Sequence, residues 1–173
     1  MGPGVRRDDY VERSFMTLPK SLSRSPSSTV SATAIVSSLL TVPTSGRGFT
    51  DLTAEIAKFV RETGAQEGAV TLFVRHTSAS LTIQENADPS VLRDLTTALD
   101  RLAPEHAGWS HDTEGPDDMP AHVKTMLTAT SLHVPVLKGE LGLGTWQAIY
   151  LIEHRRRPHR REIVLQFAGL TSG

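Results

Sequence analysis

Trp146-Gln147-Ala148-Ile149-Tyr150-Leu151-Ile152-Glu153-His154, then the arginine-rich Arg155-Arg156-Arg157-Pro158-His159-Arg160-Arg161, then Ile163-Val164-Leu165-Gln166-Phe167 decide the fold class. Trp146, Ala148, Tyr150, Ile152 and His154 alternate along one strand, and Ile163, Leu165 and Phe167 along another. Only a short segment separates the two, so they read as a hairpin, the connection that builds antiparallel sheets.

The same short connections recur elsewhere in the chain. Leu132, Val134 and Val136 form a strand, and Lys138-Gly139 reads as a hairpin turn. Val70, Leu72, Val74 and His76 share one strand face, and Leu81 and Ile83 mark a strand ending near Glu85. Val30, Ala32, Ala34, Val36, Leu40 and Val42 recur on even numbers, with Ser38 the exception. Three helices interrupt the strands. Leu52, Ile56, Phe59 and Val60 form the stripe of the first, capped by Thr50 or Asp51 and stopped by Gly64. Asp88-Pro89 opens the second, whose buried stripe is Val91, Leu95, Leu99 and Leu102, and Pro104 bars its continuation. Pro120 opens a third, short helix carrying Val123, Met126 and Leu127. A regular strand–helix alternation, the mark of a doubly wound parallel sheet, is missing, so the prediction is a mainly antiparallel α+β domain.

The first thirty or so residues read differently. Pro3, Pro19 and Pro26, a serine run and scattered charges show no apolar periodicity. Such composition buries too little surface to offset its ordering entropy. The expectation is a poorly ordered extension over 1–31 and a single domain over 32–173. Arg6 and Arg7 are not followed by the continuous apolar run of a signal peptide, and no stretch approaches the roughly 20 apolar residues of a membrane span, so the expected setting is the cytoplasm.

Composition excludes several chemistries. The absence of cysteine removes disulfides, thiolate metal sites and a cysteine nucleophile. A net charge of −1, from 18 basic and 19 acidic residues, offers no general attraction to nucleic acid or anionic lipid. Seven histidines, the carboxylates and the hydroxyls remain.

Their placement is uneven. His76 ends a strand and leads into Thr77 and Ser78; Glu85-Asn86-Ala87-Asp88 joins a strand to a helix. Such junctions present side chains to ligands. Asp88 itself, before a proline, is a helix cap first. Glu105 to Asp118 carries five carboxylates and no lysine or arginine, so it repels itself unless a cation or protons compensate. Oxygen-rich groups suit Mg²⁺ and imidazoles suit Zn²⁺, yet the spacing matches no strong metal motif, and a solvated acidic loop is the plain alternative. His154 ends its strand as His76 does, so the two can meet at one sheet edge. Any single histidine is more often structural. Several at element ends, near an acidic loop, point to general acid–base or metal-ligand roles. Gly142-Leu143-Gly144 lacks the third glycine of a dinucleotide fingerprint. The arginine-rich segment has no interleaved aromatics and reads as a solvated turn, with a narrower role for one arginine on a phosphate.

His76-Thr77-Ser78, Leu81 to Pro89, His111 to His122, Leu143-Gly144-Thr145-Trp146-Gln147 and Glu153-His154-Arg155 together resemble the YjbQ-like family, also called the secondary thiamine-phosphate synthase family. The resemblance runs from about Ala32 to Gly169 in consistent order. It implies a compact α+β domain of β-sandwich-like sheets, assembled as a homotrimer. It also implies a weak thiamine-phosphate synthase activity, which joins a pyrimidine methyl diphosphate to a thiazole phosphate and expels pyrophosphate. That step needs counter-charge for the leaving diphosphate. The resulting candidate catalytic residues are His76, Ser78, Glu85, Asn86, His111, His122 and His154. A divalent metal, Mg or Zn, is assigned to His76, His122, His154, Glu114 and Asp117, and substrate phosphate to Arg155 and Arg161. The expected partners are further copies of the chain and a small, phosphorylated ligand, with no nucleic acid and no membrane. The alternatives are a metal-dependent hydrolase or lyase using the same side chains, and a non-catalytic metabolite-binding oligomer.

Overall fold

The computed structural model describes residues 23–172. The expected extension over 1–31 therefore lies largely outside the described residues. Residues 23–33 carry no regular element, and the chain joins a sheet where the Thr33 amide donates to Gly169 O at 2.8 Å. There follow β1 (Ala34–Thr44), β2 (Gly48–Asp51), α1 (Thr53–Glu62), β3 (Ala65–Val74), β4 (Ala79–Glu85), α2 (Pro89–Leu102), α3 (Asp118–Leu127), β5 (Ser131–Leu137), β6 (Glu140–Leu141), β7 (Gln147–Glu153) and β8 (His159–Thr171). None of the helices is long and apolar enough to cross a membrane.

The strands form two antiparallel sheets, one in the order β1-β8-β3-β5-β6 and one in the order β2-β7-β4. The fold is α+β, as the sequence predicts. Val70 and Leu72 from β3, Ile163 and Phe167 from β8, and Leu81 and Leu151 from the smaller sheet share one buried cluster, which α1 closes with Ile56 and Val60. The N-cap of α1 is Leu52, which makes no side-chain cap bond, rather than Thr50 or Asp51; Asp51, one residue earlier, accepts from the Thr53 amide at 2.8 Å. Between β5 and β6, Lys138 and Gly139 both take positive φ (53° and 83°), the requirement of a two-residue hairpin turn.

Three further sequence expectations need correction. β7 and β8 do not form a hairpin: β7 pairs with β2 and β4, whereas β8 pairs with β1 and β3. The arginine-rich segment instead carries the chain from one sheet to the other. Alternation reveals a strand and its faces, but not its neighbour. Every residue of β7 after Gln147 is buried, because both faces of the strand are covered. Second, α2 has no buried residue, and Leu102 is 65% exposed. Its Thr96, Leu99 and Asp100 line a crevice with Ile152 of β7 and His154 just after it, Val91, Leu92 and Leu95 are half-buried, and Leu102 faces outward. Third, α3 begins at Asp118 rather than Pro120. Proline is tolerated there because first-turn amides have no helical acceptor. Met126 and Leu127 are exposed, and the buried face is Ala121, Lys124 and Thr125.

The larger sheet leaves its outer face open. Register places Leu39, Val164 and Phe73 in one row and Ile35, Ala168, Ala69 and Pro135 in another. Between them runs a polar row, in which Gln166 donates to Ser37 and Thr71 bonds His133. Ile35, Leu39 and Phe73 are exposed.

Candidate functional site

His76 and Ser78 lie in the link between β3 and β4. The Ser78 amide and hydroxyl both approach His76 Nδ1 at 3.1 Å. An amide can only donate, so Nδ1 is the acceptor and the ring proton of neutral His76 sits on Nε2. Burial, then the nearby Arg161 charge, pulls the His76 pKa below its ordinary value. Ser78 also accepts from Arg161 Nη2 at 3.1 Å.

Arg161 and Glu153 form the support beneath. Both are 1% exposed, and Arg161 donates from Nε and Nη2 to the two Glu153 oxygens at 2.7 Å each. Thr44 and the Arg155 amide add donors at 2.9 Å. Burial alone would raise the Glu153 carboxyl, but the Arg161, Arg155 and Thr44 hydrogen bonds outweigh it and hold it below the usual range.

On the other side of Thr77 stands His122. Its Nδ1 lies 2.9 Å from Thr77 O, and a carbonyl can only accept, so Nδ1 carries the proton and Nε2 the lone pair. His76 and His122 therefore hold opposite tautomers across one residue. α3 places Asp118 one turn before His122, with 3.8 Å between Asp118 Oδ1 and His122 Nε2. From the acidic loop, His111 Nε2 comes to 2.8 Å from Asp118 Oδ2.

Arg155 joins the loop to the sheet. It donates to Asp118 Oδ1, to Asp117 Oδ2 at 3.3 Å and to Glu114 O at 2.8 Å. Burial would raise the Asp117 carboxyl, and the Arg156 amide together with Arg155 overcomes it. Arg156 pairs with Glu105 at 2.6 Å, and Arg47 with the same carboxylate at 2.7 Å. The acidic loop and the arginine segment are thus each other's counter-ions. Arg155 and Arg161, assigned above to phosphate, are buried on carboxylates; reading the segment as a solvated turn holds only for exposed members such as Arg157 and Arg160.

Of the remaining sequence candidates, Glu114 borders the cluster and the others lie apart. His154 is 2% exposed, its Nε2 bonded to Ser80 Oγ at 2.8 Å, and burial lowers its pKa to about 4. Glu114 is exposed and faces Arg155. Glu85 and Asn86 sit at the far end of β4, roughly 20 Å of strand from Ser78. There Glu85 lines a separate cleft with Trp146 and Gln147. Asp118 was not singled out from the sequence, because starting the helix at Pro120 left it in the loop. Its four-residue spacing to His122 was the available signal. Lys124, buried against Asp100, and Arg47 had none.

A small antiparallel α+β domain with histidines and carboxylates gathered where its two sheets meet is the class that fold and site define. The model of the family "UPF0047 protein YjbQ-like" matches residues 38–170, and this chain belongs to that family. It is 49% identical over 132 residues to the UPF0047 protein sll1880 of Synechocystis, covering 76% of this chain and 90% of the relative. It is 41% identical over 131 residues to UPF0047 protein YjbQ of Escherichia coli O157:H7, covering 75% and 95%. Among solved structures, a YjbQ/UPF0047-family protein of Clostridium acetobutylicum superposes with a TM-score of 0.70 at 36% identity, covering 75% of this chain and 98% of that one. Protein TT1486 of Thermus thermophilus gives 0.65 at 40% identity, covering 73% and 97%.

Proposed function

We propose that the protein is a cytoplasmic, trimeric enzyme acting on small phosphorylated molecules, with thiamine-phosphate synthesis as the assayable reaction. The observation that carries this reading is the opposed pair of tautomers on either side of Thr77. His76 offers a proton at Nε2, and His122 offers a lone pair. In the transfer reaction, the thiazole nitrogen forms a bond to the methylene carbon of the pyrimidine. The C–O bond to the diphosphate breaks with its electron pair, and His76 Nε2 donates a proton or hydrogen bond to the departing oxygen. Ser78, fixed by Arg161, positions His76 and does not touch substrate. A shallow cleft beside His76, lined by Phe73, Arg75, Thr77 and Thr130, provides room for a ligand.

The test is turnover by rigorously purified protein. His76→Ala and His122→Ala should each lower it by about 100-fold. Equal turnover in wild type and variants would trace the activity to a contaminating synthase and overturn the reading. The open outer face of the larger sheet supports self-association, and light scattering should give about three times the 18.8 kDa chain mass. A strict monomer would remove the trimer.

A second reading, a metal-dependent hydrolase or lyase, is favoured by the two imidazoles turned toward Asp118. Its signature is turnover of phosphate esters that stops on chelation and returns with Zn²⁺.

A further inference from the structure

We infer that His111, Asp118 and His122 bind one divalent transition-metal ion of the zinc type. Sequence spacing reveals only part of this set: Asp118 and His122 lie four apart on α3, whereas His111 belongs to the loop. Each side chain offers one ligand atom, and these atoms lie within 4.8 Å of one another. His111 Nε2 lies 2.8 Å from Asp118 Oδ2 and His122 Nε2 3.8 Å from Asp118 Oδ1, so the carboxylate stands between the two imidazoles and presents a different oxygen to each. A small side-chain adjustment brings all three onto one centre.

The surroundings favour the metal-ready state of His122 and Asp118, while His111 Nε2 donates to Asp118 Oδ2 at 2.8 Å and must release that proton when an ion enters. His122 donates its Nδ1 proton to Thr77 O, the outer hydrogen bond that fixes a ligating imidazole and directs the Nε2 lone pair inward. Arg155 holds Asp118 through Oδ1, leaving Oδ2 toward His111. The Arg155 cation would by itself oppose a second positive charge. It is outnumbered by Asp117, Asp118 and the exposed Glu114, all of which it contacts, so the cluster retains negative charge for an incoming cation. Two imidazoles with one carboxylate suit zinc and its neighbours, whereas Mg²⁺ and Ca²⁺ take oxygen ligands.

Three protein ligands leave a fourth position free, the arrangement of catalytic rather than structural zinc. His111 is 51% exposed on its side chain, so that position opens to solvent and can take water or a phosphate oxygen. The set differs from the ligands assigned from the sequence: His122 is common to both, while His154 is buried on Ser80 and His76 is turned by Ser78. The inference stands on these three side chains alone. Binding is measured without substrate, so it survives or fails apart from the transferase reading.

The experiment is calorimetric titration of Zn²⁺ into tag-free, full-length protein previously dialysed against a chelator. One ion per chain is expected. His111→Ala and His122→Ala should each weaken binding by about 100-fold or more. His133→Ala, on the open face of the larger sheet, should leave it unchanged. His111 is half exposed, so its variant should keep the thermal midpoint of the metal-free wild type. Co²⁺ in place of Zn²⁺ should give visible ligand-field bands in wild type that vanish in His111→Ala. Zn²⁺ binding of equal strength in wild type and the His111 and His122 variants would overturn the assignment, as would no binding by wild type.

Discussion

Replacing Glu153 with alanine is expected to destabilise the protein by about 3–5 kcal/mol, because it strands the Arg161 guanidinium in the interior. Arg161 is 1% exposed, and its remaining partner is the neutral Ser78 hydroxyl. The substitution also removes the acceptor of the Thr44 hydroxyl and the Arg155 amide. The desolvation penalty of an unpaired buried charge dominates, since an intact buried pair contributes little beyond apolar residues of equal volume. A Glu153→Leu, Arg161→Met double variant should therefore be more stable than the Glu153→Ala single. Urea denaturation of the three proteins decides it, through the midpoint at unchanged slope. A cost below about 1 kcal/mol for Glu153→Ala would mean that Arg161 reaches water or another carboxylate. The consequence reaches the site, because Arg161 fixes Ser78, and Ser78 fixes the ring of His76.

The second large effect is a loss of stability on mild acidification. His154 is buried neutral, and its folded pKa of about 4 lies below the ordinary 6.5, so the unfolded chain takes up its proton first. The stability associated with neutral His154 is fully present above pH 6.5. It is lost as pH falls through that value toward about 4, amounting to roughly 3 kcal/mol. His76, with a pKa lowered in the same sense, acts in the same direction but is less enclosed than His154. The lowered carboxyls of Glu153, Asp117 and Asp100 withdraw their contributions only at more acid pH. His154→Gln keeps a hydrogen-bonding partner for Ser80 and does not titrate. Its stability should fall less between pH 6.5 and 5 than that of the wild type, the residual decline belonging to His76. An equal decline in the variant would assign the effect to other groups.

The site was legible in pieces. His76, Ser78, His111 and His122 stand out as polar residues at strand ends and in an acidic loop, and all four lie in the cluster that the fold assembles around Thr77 and Asp118. Glu85 and Asn86 carry the same local signal and lie at the opposite end of β4. A junction of strand and helix looks alike at either end of a sheet, and sequence order does not say which end.

The class of fold and the types of the longer elements were legible in the sequence; the short strands β2 and β6, with too few residues to alternate, were not. Period-two and helical stripes depend only on the local backbone geometry that each segment must adopt, and short connections favour antiparallel pairing. Also legible were the turn at Lys138-Gly139 and the cap at Asp88, which involve neighbours within two or three residues. That β7 and β8 part into different sheets, and that the acidic loop and the arginine segment pair with one another, came from tertiary contacts alone. Both depend on which distant segment lies alongside. Charge acts over the distance between groups in space, and Arg155 meets Asp118 across 37 positions of chain. No pattern along the sequence encodes that distance.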